Sequence, residues 1–358
     1  MSRPTSAQIN LAHLRHNYHV LRKRAAPART MAVVKAEAYG HGLDIVAPAL
    51  HAEHCLDFAV TDTAEGARLR EILPDDKVSI ALLSGVFDSE DATAAADLGL
   101  NPVISDDWQL ELLREACFSG QAWLKVETGM HRLGAHDAEA LYGKMRKAGI
   151  GIAGIMSHLA CADTPDHPLN ATQVASFARI HARLGNDLPA SLLNSAGIAA
   201  MAKHHGDVVR PGIALYGVEP VASILLGLRP VMRLSSRIMA VHELTPGDSV
   251  SYGATYTATE AGRIAVVAAG YGDGLPRRLS NTGFAIWRGQ RLAIIGRVCM
   301  DYCMLDIGNH RADIGDAVEL WGEHLWAGEV AEQAGTIAYE LFTGVGTRVP
   351  RQAVETFA

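Results

Sequence analysis

A lysine stands where an apolar run ends in AVVKAEAYGHG, residues 32–42. Met31 to Val34 carries β-branched residues and predicts a short buried strand, with Lys35 at its end and a glycine-flanked loop around His41 beyond it. An ammonium in that position is half out of water, and burial lowers its pKa. An amine made neutral this way attacks carbonyls and forms Schiff bases. More polar residues stand at the ends of later apolar runs: Arg132 in KVETGMHRLG, His158 in IMSHLA, Asn194 and Ser195 in LLNSAG, and Arg210-Pro211-Gly212-Ile213. Ser195 offers a hydroxyl, and Gly212-Ile213 offers backbone N–H groups at a helix or turn start, which is the composition of a phosphate site. A Schiff-base lysine beside a phosphate cradle points to pyridoxal phosphate. A phosphosugar site with a Schiff-base lysine would use the same residue types.

Such residues gain meaning from the elements that carry them. Short apolar runs at Met31–Val34, Asp57–Val60, Val78–Leu83, Asn101–Ile104, Ala122–Val126, Ile152–Met156, Ser191–Leu193 and Asp207–Val209 predict strands. Between them, stretches such as Ala64–Ile72, Trp108–Ala116, Ala138–Ala148 and Ala171–Leu184 have apolar residues at helical spacing. Eight βα repeats predict an α/β fold, a (β/α)8 TIM-like barrel, whose active-site residues come from the C-terminal ends of the strands. The candidates above all fall at such ends. From about Arg237 the texture changes to alternating strands and turns, with turns at Pro246-Gly247-Asp248 and Gly289-Gln290 and one helical stretch, Ala327–Ala334. We expect two domains, a barrel over residues 1–236 and a mostly β C-terminal domain over 237–358. The opening strand near Ala7–Leu11 is expected to pack with the second.

Composition narrows the partners. A net charge of −7 without a basic cluster argues against nucleic acid or an anionic membrane. No apolar run approaches the ~18 residues of a membrane span, and MSRPTSAQIN has no signal-peptide apolar region. Five cysteines, an odd count without a CxxC pair, fit reduced thiols in the cytoplasm. The histidines form no HExxH, and no metal is expected.

Eight segments, AVVKAEAYGHG, LKVETGMHRLG, LLNSAG, VRPGIALYG, VSYGATY, GYGDG, GRVCMD and TIAYELFTGVGTRVPR, occur in order from residue 32 to 351. Together they resemble the alanine racemases over essentially the whole chain. The resemblance implies an isomerase that exchanges L- and D-alanine with pyridoxal phosphate. By similarity, Lys35 holds the cofactor and moves the α-proton on the D face, while Tyr252 serves the L face. Two bases on opposite faces are what inversion needs. Arg210 matches the arginine facing the pyridine nitrogen, where it keeps that nitrogen an acceptor and the ring a weak electron sink. Arg132 matches the residue on the cofactor's phenolic oxygen and the substrate carboxylate, and Lys125 matches a lysine that is carbamylated in many members. His158 resembles the histidine between ring and arginine. Tyr39, Ser195, Gly212, Ile213 and Tyr339 match phosphate ligands, and Asn194 stands beside them. Met300 and Asp301 match residues lining the substrate pocket of a partner subunit, with Asp163, Tyr271 and Arg277 along its entrance. The implied assembly is a homodimer with shared active sites. D-Alanine supply for the cell wall and L-alanine recovery would use the same residues.

Four positions depart from the family's pattern. Glu37 stands where Asp is usual, Gly272 where Ala is usual, Ala338 where Pro commonly precedes the tyrosine, and Leu159 where an aromatic is frequent. None removes a chemical group from the mechanism. Gly272 and Ala338 are expected to loosen the entrance.

Overall fold

The computed structural model describes residues 3–357 and contains a parallel barrel followed by a second sheet. The barrel strands are, in order, Arg29–Val33, Asp57–Val60, Ser79–Leu82, Asn101–Ile104, Gln121–Lys125, Gly151–Met156, Ala190–Ser191 and Val208–Val209. These are the eight expected strands, two with the expected bounds and the rest with ends displaced by at most two residues. The eighth pairs back onto the first through Arg29 with Val208 and Thr30 with Val209. Between the seventh and eighth, closure falls to an Asn194–Arg210 bridge and an Asp207 N–H donated to the Ala190 carbonyl at 2.9 Å.

The strands were legible because a parallel barrel buries both faces, so its strands read as continuous apolar runs rather than alternating ones. All four residues of Asp57–Val60 are buried. The strand-to-helix connections are fixed by aspartates. Asp62, Asp88, Asp106 and Asp137 precede the helices Thr63–Ile72, Ser89–Asp97, Asp107–Glu115 and Ala138–Lys147, and each side chain accepts a first-turn N–H.

In the second sheet, the long strand Met232–Leu244 lies antiparallel to Ser6–Asn10, Gly262–Val267 and Ala317–Trp321. The opening strand Ser6–Asn10 also runs parallel to Arg351–Val354. The expected division between residues 236 and 237 falls inside Met232–Leu244, which belongs to this sheet along its length. One expected turn also shifts. The hairpin Phe284–Trp287/Gln290–Ala293 turns on Arg288-Gly289, both at positive φ, and Gln290 already pairs with Trp287. The helix Ala327–Ala334 is present as expected, and a second, Ala338–Thr343, follows it. Among the described residues no helix is long and apolar enough to cross a membrane.

Candidate active site

A cavity of about 650 Å³ opens at the C-terminal ends of the barrel strands. Lys35, Tyr39, Lys125, Arg132, His158, Asn194, Ser195, Arg210, Gly212, Ile213 and Tyr339 all line it. Among the described residues lining it, four are basic, Lys35, Lys125, Arg132 and Arg210, and one, Glu340, carries a carboxylate. Such an imbalance at a partly dry site calls for an anionic occupant.

The lysine end of the cavity is unusual in its backbone. Instead of the loop expected after the first strand, Ala36, Glu37, Ala38 and Tyr39 form a left-handed helical turn, with φ values of 51, 56, 52 and 54°. Each L-residue there costs roughly 1–2 kcal/mol, so the surroundings must impose the conformation. The Ala38 N–H donates to Val34 O at 2.9 Å, and the Gly42 N–H donates to Glu37 O at 2.9 Å. Tyr39 stacks on Tyr216 with centroids 4.8 Å apart, and the Tyr216 hydroxyl donates to Val33 O at 3.1 Å. The turn throws the Tyr39 ring back over the eighth strand end. Burial lowers the Lys35 ammonium's pKa, the Arg132 guanidinium adds to that, and the Glu65 carboxylate opposes it.

Ser195, Gly212, Ile213, Tyr39 and Tyr339 line a second part of the same cavity. Ser195 Oγ accepts the N–H groups of Gly212 at 2.9 Å and Ala214 at 3.3 Å, which leaves its own hydrogen free to donate. Ile213 opens a 3₁₀ turn, where backbone N–H groups have no partner within the turn. A Cβ on residue 212 would lie 2.3 Å from the Tyr39 hydroxyl oxygen, so only glycine admits that hydroxyl to the cradle. Burial, and then Tyr339, push the Tyr39 phenol's pKa up, so it stays a donor. Burial, and then Asp163, push Tyr339 up to about 12. Donor hydroxyls and N–H groups without carboxylates are the donor set a phosphate requires.

Arg210 lies buried between these ends. Its guanidinium donates to Ser191 Oγ, to the Ser157 carbonyl, to Leu192 O at 3.2 Å and to His158 Nδ1 at 3.4 Å. Burial and then Arg132 lower its pKa to about 10. Burial and the surrounding cations, Arg210 foremost, push His158 well below the ordinary histidine value, so the ring is neutral and Nδ1 accepts. Lys125, buried at the end of the fifth strand, falls to about 8 through burial and the charges of Arg210, Arg132 and Lys35. Gln173 steadies this wall, donating to His158 O at 2.9 Å and to Thr128 Oγ1 at 3.2 Å.

The other expected site residues stand apart from the cavity lining. Tyr252 is 73% exposed and Met300 53%, and Tyr271 and Arg277 are exposed too. They form one face of the second domain: the Tyr271 and Gly272 N–H groups donate to Cys299 O and Met300 O at 3.0 and 2.9 Å, and Ser251 Oγ donates to Arg297 O at 2.7 Å. The face is braced by the fully buried Asp273, which accepts from Arg3, Arg348 and the Gly270 N–H at 3.0, 2.8 and 3.0 Å. Arg348 also donates to Asp301 at 2.9 Å and to Met300 O at 3.2 Å. A Cβ on residue 272 would lie 2.5 Å from the Arg348 guanidinium, so Gly272 leaves no void at the entrance; the guanidinium takes the space. Asp163 stands on the barrel side, close enough to Tyr339 to raise its pKa.

Sequence reasoning missed several contributors. Thr61, Leu83, Ser84 and Met156 line the cavity from strand ends, and the rule that barrel chemistry gathers there could have found them. Glu127 folds the loop that carries Arg132. Burial pushes its carboxyl up, but the N–H groups of Gly129, His131 and Met130 outweigh this and hold it below the usual carboxylate range. Glu65 follows Asp62 by three residues, a capping-box signature that reads as a local helix signal. Its carboxylate instead accepts from Ala36 and Thr61.

Comparison with known proteins follows the same layout. The family described as alanine racemase, N-terminal domain, matches residues 9–220, and alanine racemase, C-terminal domain, matches 231–353. An alanine racemase of Stutzerimonas stutzeri is 39% identical over 365 residues, covering 98% of this chain and 99% of that protein. The crystal structure of the biosynthetic alanine racemase of Pseudomonas aeruginosa superposes with a TM-score of 0.92 at 38% identity, covering 98% of this chain and 99% of that one. An alanine racemase structure from Bartonella henselae, described with covalently bound pyridoxal phosphate, gives 0.92 at 32% identity, with 98% and 99% covered.

Proposed function

The chain belongs to the alanine racemase family, isomerases that exchange the enantiomers of alanine, and on that premise we propose how its residues carry the reaction on pyridoxal phosphate. The Lys35 amine would hold the cofactor covalently. Tyr39, Ser195, Gly212, Ile213 and Tyr339, beside Asn194, would hold its phosphate. The observation that carries this reading is the joint presence, in one cavity, of a lysine with a lowered pKa and a donor-only cradle that a Cβ at position 212 would fill.

When bound, pyridoxal phosphate withdraws electrons and makes the α-C–H of the attached amino acid acidic. Arg210 would face the pyridine nitrogen as a donor that keeps its own proton, and neutral His158 would pack beside it. A decarboxylase of the same fold would need a carboxylate there. Here the guanidinium's partners are carbonyls, a hydroxyl and an imidazole nitrogen. Arg132 would bind the substrate carboxylate. Lys125, as a neutral amine, would take up carbon dioxide and lose a proton, and the resulting carbamate anion would orient Arg132.

Lys35 Nζ would move the α-proton on the D face, and the Tyr252 phenol oxygen of a second copy would do so on the L face. Tyr252 lies outside its own chain's cavity lining and shares an exposed face with Met300, Asp301, Tyr271 and Arg277. That exposure supports a head-to-tail homodimer in which this face covers the partner's cavity, Asp163, Tyr271 and Arg277 flanking the entrance. Five free thiols fit a cytoplasmic setting.

The test is incubation with L-alanine in heavy water, following optical rotation and α-deuteration, with cofactor present and then stripped. Both signals should change only with cofactor. If the protein retains cofactor while neither signal moves, the catalytic reading is wrong and a non-catalytic cofactor carrier replaces it.

A further inference from the structure

The left-handed turn after Lys35 is held differently at its two ends. At Tyr39 the hold is burial and ring stacking against Tyr216. At the lysine end Ala36 and Glu37 are exposed, and packing offers little. There the Ala36 N–H donates to one oxygen of Glu65 at 2.6 Å, while the Thr61 N–H donates to the other at 2.7 Å. Ala36 and Thr61 follow the first and second barrel strands, and both line the cavity. One carboxylate therefore ties two adjacent rim segments together, through the residue that directly follows the lysine.

The helix Thr63–Ile72 that carries Glu65 is a rigid base for this. Asp62 caps it by accepting the Glu65 N–H at 3.0 Å. Three residues on, Arg68 pairs with Glu37 and Asp44, so the same helix also grips the outer side of the turn. Both Glu65 oxygens accept backbone N–H groups, bonds that a charged acceptor makes stronger than a neutral one.

We propose that Glu65 is a positioning residue for Lys35, clamping the left-handed turn to the second strand's end and so aiming the amine into the cavity. The proposal rests on the reading of Lys35 as the cofactor lysine, and deepens it. Glu65 touches neither reactant nor cofactor and acts through Ala36. The charged and titratable groups around the Lys35 amine are Arg132, Lys125, His158 and Glu65, with Arg210, Tyr39, Tyr339 and Glu340 lining the same cavity. The Glu65 charge favours the ammonium, so neutralising it lowers the pH at which the amine is freed.

The test uses cofactor-free protein, which separates it from whether pyridoxal phosphate binds. Competitive acetylation with acetic anhydride over a pH series, read by peptide mass spectrometry against exposed Lys203, titrates the Lys35 amine. Amide exchange at Ala36 reads the clamp. In Glu65→Gln, Ala36 exchange should speed by about tenfold, the loss expected for a hydrogen bond to a charged group, and the Lys35 midpoint should move down. Glu65→Asp, which keeps the charge, should retain more of the midpoint than Gln. Wild-type exchange and midpoint in Glu65→Gln would overturn the proposal. So would faster exchange with an unmoved midpoint, since the residue would then be structural only. If Gln folds poorly, Glu65→Asp decides against wild type: faster Ala36 exchange with a shifted Lys35 midpoint sustains the role, and wild-type exchange or an unmoved midpoint refutes it.

Discussion

The phenol oxygen of Tyr39 occupies the space above Gly212 that a side chain there would need, 2.3 Å from the Cβ position. Two segments far apart in sequence thus meet through a missing methyl group. Gly212→Ala should push the hydroxyl out of the cradle and leave the barrel folded. Loss of one hydrogen bond to a charged group costs about 1.5–3 kcal/mol, so cofactor affinity should fall by about 10- to 100-fold. Titrating stripped protein with pyridoxal phosphate, read by absorbance, checks this; unchanged affinity would mean that Tyr39 does not reach the phosphate.

Lys125 predicts a pH slope in stability. Its pKa is lowered from the model-peptide value of 10.5 to about 8, so between those values the unfolded chain binds the proton that the folded chain releases. Stability of cofactor-free protein in carbon-dioxide-free buffer should therefore rise from pH 8 towards 10.5 and carry the full penalty below 8. A shift of that size corresponds to about 3 kcal/mol. Thermal melts across this range should show the slope, and Lys125→Met should flatten it. Added bicarbonate at pH 8 should raise the melting temperature of wild type and leave Lys125→Met where it was.

Sharing of the site between two copies is testable by mixing. Tyr252→Phe and Lys35→Ala should each lower racemisation by at least 10²- to 10⁴-fold, the usual loss for one acid–base group. A mixed dimer carries one site with both residues intact, so unfolding and refolding the two variants together should restore activity. No recovery, despite heterodimers detected by native mass spectrometry, would put both residues in one chain's site.

Ala338 opens the helix Ala338–Thr343, and the residue before it, Ile337, is extended with φ −121° and ψ 153°. Proline suits the first position of a helix and demands an extended residue before it. Ala338→Pro should therefore stabilise the protein by about 0.4–1 kcal/mol, mainly by restricting the unfolded chain. Chemical denaturation measures it, and destabilisation would mean that the ring strikes the wall around this buried position.

Much of the fold was legible because barrel strands buried on both faces leave uninterrupted apolar runs, as in Asp57–Val60. The left-handed turn was not, since Ala36, Glu37, Ala38 and Tyr39 carry no glycine or asparagine to announce positive φ; tertiary contacts impose it. The helix Ala338–Thr343 has six residues, too few for a helical period to register. Lys35, Arg132, His158 and Arg210 were legible as strand-end residues. Glu65 was hidden because a Glu three residues after an N-cap Asp looks like local capping, and only the fold reveals that its oxygens reach another loop.

Pairing of Ser6–Asn10 with Met232–Leu244 and Arg351–Val354 imposes an order on synthesis. A ribosome delivers Ser6–Asn10 before any barrel strand, yet its first neighbour, Met232–Leu244, emerges only after the barrel strands, and its second, Arg351–Val354, only at the end of the chain. The Arg3 side chain likewise has its Asp273 partner only once residue 273 has been made. The barrel strands all precede this sheet's remaining strands in the chain, and the face bearing Tyr252 gains its last brace from Arg348, ten residues from the C-terminus.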